Sequence, residues 1–490
     1  MNLKRNYILV HINGKAHQVS GDEAFLPLAT YLRKTLHQPG TKIVCAEGDC
    51  GACSVLVSKF EQEGFSSFRA INSCIAPVFL FDLSVLVTVE GLQQDEDLSE
   101  VQTKMREFHG GQCGFCTPGM VCSLAQLADD CKTEQKPVTE KKARNYLTGN
   151  LCRCTGYEPI LKAATNFELD KWTPLAKRYL TESCMMDFTK ESATAVAIQG
   201  EGKNLHMPTV LAEAIALKTK NPDMRIIAGA TDIGVVINKG RSQHQEVLVL
   251  NKISELAKVE TRTNGIFIGA QVSLTDVETF VRKSHPELKR LLHIFASPQI
   301  KNQGTLLGNI LNGSPIGDSI PALLALQAEI QFVSAKGTRA APITEFYKAY
   351  KVFDKTPDEI ATGVFIPNLQ GTWLTKIYKV SVRKDLDISA VTFAACLKMD
   401  GDKIQEARIA MGGVGPCVIR LPQVEKLMVG QPLTAAIFEQ AGILASTLIT
   451  PISDLRASQE YRKLVTQNLF KKCHLELTTE KPQTEELVCP

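Results

Sequence analysis

The chain has 490 residues, of which 44% are hydrophobic and 22% charged, and a formal charge of +3. That length holds about two to four domains with full cores, and the composition is that of an ordinary globular protein, not a disordered or fibrous one. The small net charge gives no reason to invoke nucleic acid or an anionic membrane, and no apolar run reaches the length of a membrane span.

The N-terminus, Met1-Asn-Leu-Lys-Arg, leads into alternating residues and not into the apolar core of a secretory signal. Fifteen cysteines in such a chain predict free thiols in a reducing compartment, the cytoplasm, with disulfides the weaker expectation. Residues 7–13 read as a strand, Asn13-Gly14 as a hairpin turn and Ala16 to Val19 as its partner. His11 and His17 flank this hairpin and are expected to be solvated strand residues. Pro27 opens a predicted helix through Leu36, with Leu28, Tyr31, Leu32 and Leu36 as its apolar side. Strands are predicted at 54–57 and 85–90. Five elements in this order suit a small ferredoxin-like β-grasp domain.

Between the helix and the strand at Ser54 lies Cys45-Ala-Glu-Gly-Asp-Cys50-Gly-Ala-Cys53, and Cys74 follows twenty residues later. This is the C-x4-C-x2-C…C spacing of a plant-type [2Fe–2S] centre. Three thiolates from one tight loop grip two irons from one side, and a distant thiolate closes the site. Gly48 and Gly51 are expected to let backbone amides approach the sulfurs. A second tetrad pairs Cys113-Gly-Phe-Cys116 with Cys152-Arg-Cys154. A structural zinc is the alternative there, since zinc sites also use C-x2-C pairs. Cys122 and Cys131 read as buried apolar residues on helices, and the five later cysteines as structural.

Residues 98–165 predict four helices. Thr117-Pro118 reads as an N-cap followed by proline at the first helical position, with Met120, Leu124, Leu127 and Ala128 as a core stripe. Residues 168–200 lack strong periodicity and read as a surface connector. Beyond them strands and helices alternate to about residue 370. Arg225-Ile-Ile-Ala-Gly-Ala-Thr-Asp-Ile-Gly234 and Gly304-Thr-Leu-Leu-Gly-Asn-Ile-Leu-Asn-Gly-Ser-Pro-Ile-Gly-Asp318 are glycine-rich turns. Neither is G-x-G-x-x-G nor a P-loop. Their amides, with Thr231, Asn309 and Ser314, are candidates to hold a pyrophosphate. A helix is predicted over Pro321 to Ala328. Residues 376–480 begin with strands, turn at Gly412-Gly-Val-Gly-Pro416 and end in helix.

Taken together, Cys45 to Cys53, His109-Gly-Gly-Gln-Cys-Gly-Phe-Cys-Thr-Pro-Gly119 and Thr148-Gly-Asn-Leu-Cys-Arg-Cys-Thr-Gly-Tyr157 resemble the double [2Fe–2S] module of the molybdenum hydroxylases, the family of xanthine dehydrogenase, aldehyde oxidase and carbon monoxide dehydrogenase. The two glycine loops resemble that family's FAD-binding loops, and Arg383 to Ser389 with Met411 to Pro416 resemble the domain that follows. The resemblance implies a multidomain α+β chain: a plant-type [2Fe–2S] domain (1–92), a four-helix [2Fe–2S] domain (93–167), a linker (168–200), an α+β FAD-binding domain of PCMH type (201–372) and an α+β flavoprotein C-terminal domain (373–482).

It further implies cluster ligands Cys45, Cys50, Cys53 and Cys74, and Cys113, Cys116, Cys152 and Cys154. Ile226, Ile227, Ala228, Gly229, Ala230, Thr231, Asp232, Ile233 and Gly234 would wrap the FAD pyrophosphate. Thr305 would lie near the phosphates with Gly308, Asn309 and Ser314, Asp318 would approach the flavin ring, and Phe295 falls where relatives place an aromatic. Ala230 and Leu307 stand where the family often has glycine, and Ala230 is tolerable there if its φ is negative. The chain is expected to carry no molybdopterin domain of its own, which the resemblance assigns to a partner subunit in a heterotetramer or larger assembly. Fusion of the two modules favours the bacterial two-subunit xanthine dehydrogenase type: hypoxanthine and xanthine hydroxylated on the partner, electrons passed through both clusters and FAD to NAD+. An aldehyde or N-heterocycle hydroxylase, or a stand-alone iron–sulfur flavoprotein reductase, would carry the same modules.

Overall fold

The structure is a computed structural model that describes residues 4–61, 64–94, 97–241, 244–383 and 386–479. Lys384 and Asp385, within the 383–389 motif, and Cys489 lie outside the described residues. The chain forms two compact units, one of residues 1–256 with 296–304, the other of 257–295 with 305–490.

In the first unit the strands follow the alternation of the sequence. Ile8–Ile12 pairs antiparallel with Lys15–Val19 across the Asn13-Gly14 turn and parallel with Ser84–Val87, which pairs with Ser54–Glu61; Gly64–Phe65 and Arg69–Asn72 complete the sheet on the far edge. Successive side chains of a strand point to opposite faces. Ile8, Val10, Ile12, Val55, Val57 and Leu86 therefore share one core with Leu28, Tyr31 and Leu32 of the helix Leu28–Lys34. Leu9, Leu56, Val85 and Val87 face a second core with Met120, Leu124, Leu127 and Ala128. Both faces being covered explains why these strands read as nearly continuous apolar runs.

Four helices, Glu100–Glu107, Thr117–Glu134, Glu140–Leu147 and Glu158–Thr165, follow as expected. The cap differs by one residue. Cys116 is the N-cap, Thr117 is the first helical residue, and no side-chain hydrogen bond caps this end. The expected surface connector is also overturned. Residues 168–200 carry the helices Leu175–Tyr179 and Glu182–Ser192 and the strand Val196–Gly200, and Trp172, Leu175, Cys184 and Phe188 are buried. Trp172 Nε1 and the Leu175 amide both donate to Asp129 Oδ1, at 2.9 and 2.8 Å. Phe188 stacks edge-on against His11 and Phe60. His11 is accordingly buried at 6% exposure, against the expectation of a solvated residue, with Nε2 3.2 Å from Asp187. A four-stranded sheet, ordered Val196–Gly200, Lys203–Met207, Glu246–Val249 and Arg225–Ile227, packs its apolar residues into the core shared with Ile8 and Val10.

In the second unit, Val259–Arg262, Gly265–Gly269, Ile360–Pro367, Glu329–Ser334 and Gly337–Pro342 form one antiparallel sheet in that order. Trp373–Val380, Val391–Asp400, Lys403–Gly412 and Ile419–Arg420 form another. The helices Pro422–Met428, Ala435–Leu448 and Gln459–Thr479 cover the second sheet, with Phe438, Phe470 and Phe393 in its core. The helix predicted at 321–328 spans Ser319–Ala325.

Candidate iron–sulfur and flavin sites

The first cysteine loop is shaped by left-handed backbone. Ala46, Gly48 and Gly51 have φ of 53°, 76° and 67°. Both glycines are also needed for space against neighbouring protein atoms. A Cβ on Gly48 would press on Ile75 Cδ1, and one on Gly51 would collide with the Gly149 carbonyl. The fourth cysteine is stitched to the loop by its neighbours. Asn72 Nδ2 donates to the Gly48 carbonyl at 2.6 Å and Ser73 Oγ to the Cys53 carbonyl at 2.5 Å.

This brings Cys45, Cys50, Cys53 and Cys74 together. Cys45 is in hydrogen-bonding contact with Cys50 and Cys74, which draw its thiol well below the usual range, and Cys53 is in contact with Cys74. The Glu47 amide lies 3.4 Å from Cys45 Sγ, a donor to sulfur. Cys53 and Cys74 are buried at 1% and 3% exposure, and Cys45 and Cys50 half-buried.

The second tetrad sits before two helix starts, where backbone N–H groups favour negative charge. Cys113 and Cys154 are exposed and in contact, and Cys116 and Cys152 are half-buried and in contact. Burial, then the neighbouring Cys152, pushes Cys116 up to about 12. Tyr157, at φ 69°, holds the turn, its hydroxyl accepting from the Cys152 amide at 2.9 Å. Among the described residues no three His, Cys, Asp or Glu side chains converge on one ion. In the second tetrad the thiols meet in two pairs, and in the first they form a run from Cys50 through Cys45 and Cys74 to Cys53; four thiolates, two to each iron, are what a two-iron cluster takes. The donor set thus fits [2Fe–2S] at both places.

The two cysteine loops are joined directly. The Leu151 amide, next to Cys152, donates to the Cys50 carbonyl at 3.0 Å. Asn150 Nδ2 donates to the Gly51 carbonyl at 3.0 Å, and Gly119 lies so near that carbonyl that a Cβ would strike it. Asn150 was within a recognised motif, but nothing in the sequence marked it as the link.

The first glycine loop follows the strand Arg225–Ile227 and ends in the helix Ile233–Asn238. Ala230 takes φ 56°, so the condition of a negative φ, under which alanine would sit there without strain, is not met; it occupies the left-handed region, which its burial at 6% exposure over-determines. Gly229 is confined by protein, since a Cβ there would collide with the Gln303 carbonyl. Beside it neither amide atom of the buried Gln303 has a hydrogen-bond partner among the described residues. An orphaned donor and acceptor at this loop fit a polar ligand such as FAD. The helix then ends on the first cysteine loop. Asn238 Nδ2 donates to the Ala46 and Cys74 carbonyls at 2.9 and 2.8 Å, Lys239 pairs with Glu47 at 2.7 Å, and Gly234 abuts the Ile75 carbonyl. Sequence reasoning missed both Gln303 and Asn238, neither of which belongs to a recognisable pattern.

In the second unit, Thr305 caps the helix Leu306–Asn312, its Oγ1 accepting from the Gly308 amide at 3.0 Å. Asn309 Oδ1 accepts from Ser319 Oγ at 2.7 Å, and Ser314 Oγ accepts from the Ile316 amide at 3.4 Å. Leu307 is buried in that helix, and Phe295 is half-buried at the end of the helix Pro286–Ile294. Asp318 is 4% exposed, with Lys379 Nζ on Oδ2 and Ser389 Oγ on Oδ1, both at 2.5 Å. Its carboxylate is held by protein.

Residues 88–165 match the model of a [2Fe-2S] binding domain, residues 199–369 that of the FAD binding domain in molybdopterin dehydrogenase, and residues 376–477 that of the CO dehydrogenase flavoprotein C-terminal domain. The chain is 29% identical to a xanthine dehydrogenase of Drosophila pseudoobscura pseudoobscura, over 97% of its own length and 39% of the relative's. It is 28% identical to a xanthine dehydrogenase of Oryza sativa subsp. japonica, over 96% and 40%. The chain thus spans about two fifths of the length of these curated relatives. Among solved structures, a chain of quinoline 2-oxidoreductase from Pseudomonas putida 86 superposes with a TM-score of 0.52 at 26% identity, covering 55% of this chain and 94% of that one. A chain of carbon monoxide dehydrogenase from Hydrogenophaga pseudoflava gives 0.53 at 22% over the same shares, a likeness of fold.

Proposed function

Since the matched domains are those of the iron–sulfur and FAD part of the molybdenum hydroxylases, we propose that this chain relays electrons from a molybdopterin-binding partner subunit to NAD+ in a xanthine dehydrogenase. Cys113, Cys116, Cys152 and Cys154 would hold the cluster nearer the partner, and Cys45, Cys50, Cys53 and Cys74 the cluster nearer the flavin. By resemblance, residues 226–234 are assigned to FAD, as in the second unit are Phe295, Thr305, Gly308, Asn309, Ser314 and Asp318. When bound, the clusters would supply one-electron carriers and the flavin two-electron hydride chemistry toward NAD+.

The observation that carries this reading is the hydrogen bond from the Leu151 amide to the Cys50 carbonyl, which makes the two cysteine loops one continuous structure. The exposed pair Cys113 and Cys154, with exposed Phe115 between Cys113 and Cys116, offers the surface for the partner. The grip of Asn238 on Ala46 and Cys74 ties the buried tetrad to the helix leaving the first flavin loop. The chain's residues hold the carriers in order and shield the inner one from water.

The test is NAD+ reduction by the chain assembled with its partner, driven by hypoxanthine or xanthine. The likeness to a quinoline oxidoreductase chain favours one second reading, hydroxylation of another N-heterocycle. Turnover of quinoline-type compounds without turnover of purines selects it.

A further inference from the structure

The stretch 296–304 is flanked on both sides by residues of the second unit, yet it folds with the first. It lies within the region matching the FAD-binding model. It holds one short helix, Pro298–Lys301, capped by Ser297 Oγ on the Ile300 amide. Ile300 packs with Cys53, Cys74 and Ile75.

Gln299 on this turn is fully buried, at 0% exposure. Its Nε2 donates to Asn150 Oδ1 at 2.8 Å and to Ser123 Oγ at 3.1 Å, and lies 3.4 Å from Ser54 Oγ. Its Oε1 has no hydrogen-bond partner among the described residues, and it crowds Gly149 so closely that a Cβ there would strike it. Two of these contacts belong to cysteine loops and the third to the helix that follows one. Ser54 follows Cys53, Asn150 precedes Cys152 by two residues, and Ser123 lies on the helix that starts after Cys116. Asn150 passes the contact on to the Gly51 carbonyl, which also accepts from Ser54 Oγ at 2.7 Å.

Packing alone does not account for this residue. A buried amide oxygen without a partner is destabilising, and an apolar side chain of the same volume would fill the space without it. What the amide supplies is orientation: one donor group fixes Asn150, and with it the Gly51 peptide between Cys50 and Cys53. We propose that Gln299 is a positioning residue for both iron–sulfur clusters at once, setting the spacing and hydrogen bonding of the two cysteine loops from within the flavin-matched sequence. The proposal rests on the cluster assignment above. Hydrogen bonds around cluster ligands set reduction potentials, so both potentials depend on this one side chain.

The test compares Gln299→Met with Asn302→Leu in the full chain as purified. Methionine keeps the volume and removes the amide. Asn302 sits on the same turn, but its Nδ2 donates to the Ala70 carbonyl at 2.8 Å, four residues before Cys74, and not to Asn150 or the Gly51 peptide. Iron per chain and a redox titration followed by electron paramagnetic resonance are measured for each cluster. In Gln299→Met the reduced-to-oxidised ratio at a fixed potential is expected to change by on the order of tenfold for both clusters, while Asn302→Leu leaves both unchanged. Loss of iron from Gln299→Met with full loading of Asn302→Leu supports the same role. Unchanged potentials in Gln299→Met, a shift confined to one cluster, or equal effects of the two substitutions would overturn it. A parent protein with no cluster signals at all overturns the cluster assignment itself, which the parent titration shows before any variant is read.

Discussion

The amide of Leu151 donates to the carbonyl of Cys50 at 3.0 Å, across about a hundred residues of sequence. Leu151 adjoins Cys152, so a candidate ligand of one cluster and a residue beside a candidate ligand of the other are joined by one hydrogen bond. The surrounding contacts reinforce it, because Gly119, Gly149 and Asn150 all close on Gly51. The two cysteine loops are parts of one packed body, which is what stepwise electron transfer requires of its carriers.

Two sets of four cysteines predict about four irons per chain as two [2Fe–2S] clusters, with one FAD. Metal analysis and flavin release by acid measure this directly. A value near two irons, or zinc in stoichiometric amount, removes one cluster from the scheme.

Each cluster is expected to be lost separately. Cys152→Ser should abolish the signal of the more exposed cluster and Cys50→Ser that of the buried one. Both should slow purine-driven NAD+ reduction, while NADH-driven reduction of a dye through the flavin stays largely intact. An unchanged overall rate in Cys152→Ser refutes the proposed order of carriers.

Gly229→Val places a branched side chain against the Gln303 carbonyl, which is backbone and cannot swing away. The cost is that of overpacking, about 1–3 kcal/mol, concentrated on the loop proposed for FAD. The purified variant should be flavin-poor but keep both iron–sulfur signals. Full flavin occupancy detaches this loop from the cofactor.

Ala230→Gly tests the adjoining residue in the opposite direction. An alanine at φ 56° carries a left-handed penalty of about 1–2 kcal/mol that glycine avoids, against about 0.5–1 kcal/mol of extra chain entropy. The substitution should leave stability unchanged or raise it by up to about 1.5 kcal/mol, read from denaturant midpoints. A clear loss of stability contradicts the strained conformation.

In the second unit, Asp318 and Lys379 form an ion pair at 2.5 Å, with side chains 5% and 2% exposed. Removing one partner strands the other charge in the interior, so Asp318→Ala should cost about 3–5 kcal/mol. Adding Lys379→Met should recover much of that loss. If the double variant is as unstable as the single one, the pair does not account for the effect.

The residues that announce chemistry were legible in the sequence because their signals are local. Cysteine spacing inside a tight loop, the Asn13-Gly14 turn, the alternation of Ile8, Val10 and Ile12 and the stripe from Met120 to Ala128 all depend on neighbours a few residues away. Tertiary structure decided the rest. The sign of φ at Ala230 follows from what buries it, and the need for glycine at 51, 119 and 229 comes from backbones far off in the chain. The stretch 168–200 lacks periodicity, yet Trp172 and Phe188 are core residues because Asp129 and His11 come from distant elements to meet them. Gln299 and Asn238 carry no motif, since an isolated amide acquires its role only from the carbonyls and hydroxyls that folding brings within 3 Å of it. Local patterns specify elements and ligands; the hydrogen bonds that hold those ligands in register are long-range, and no short stretch of sequence contains both ends.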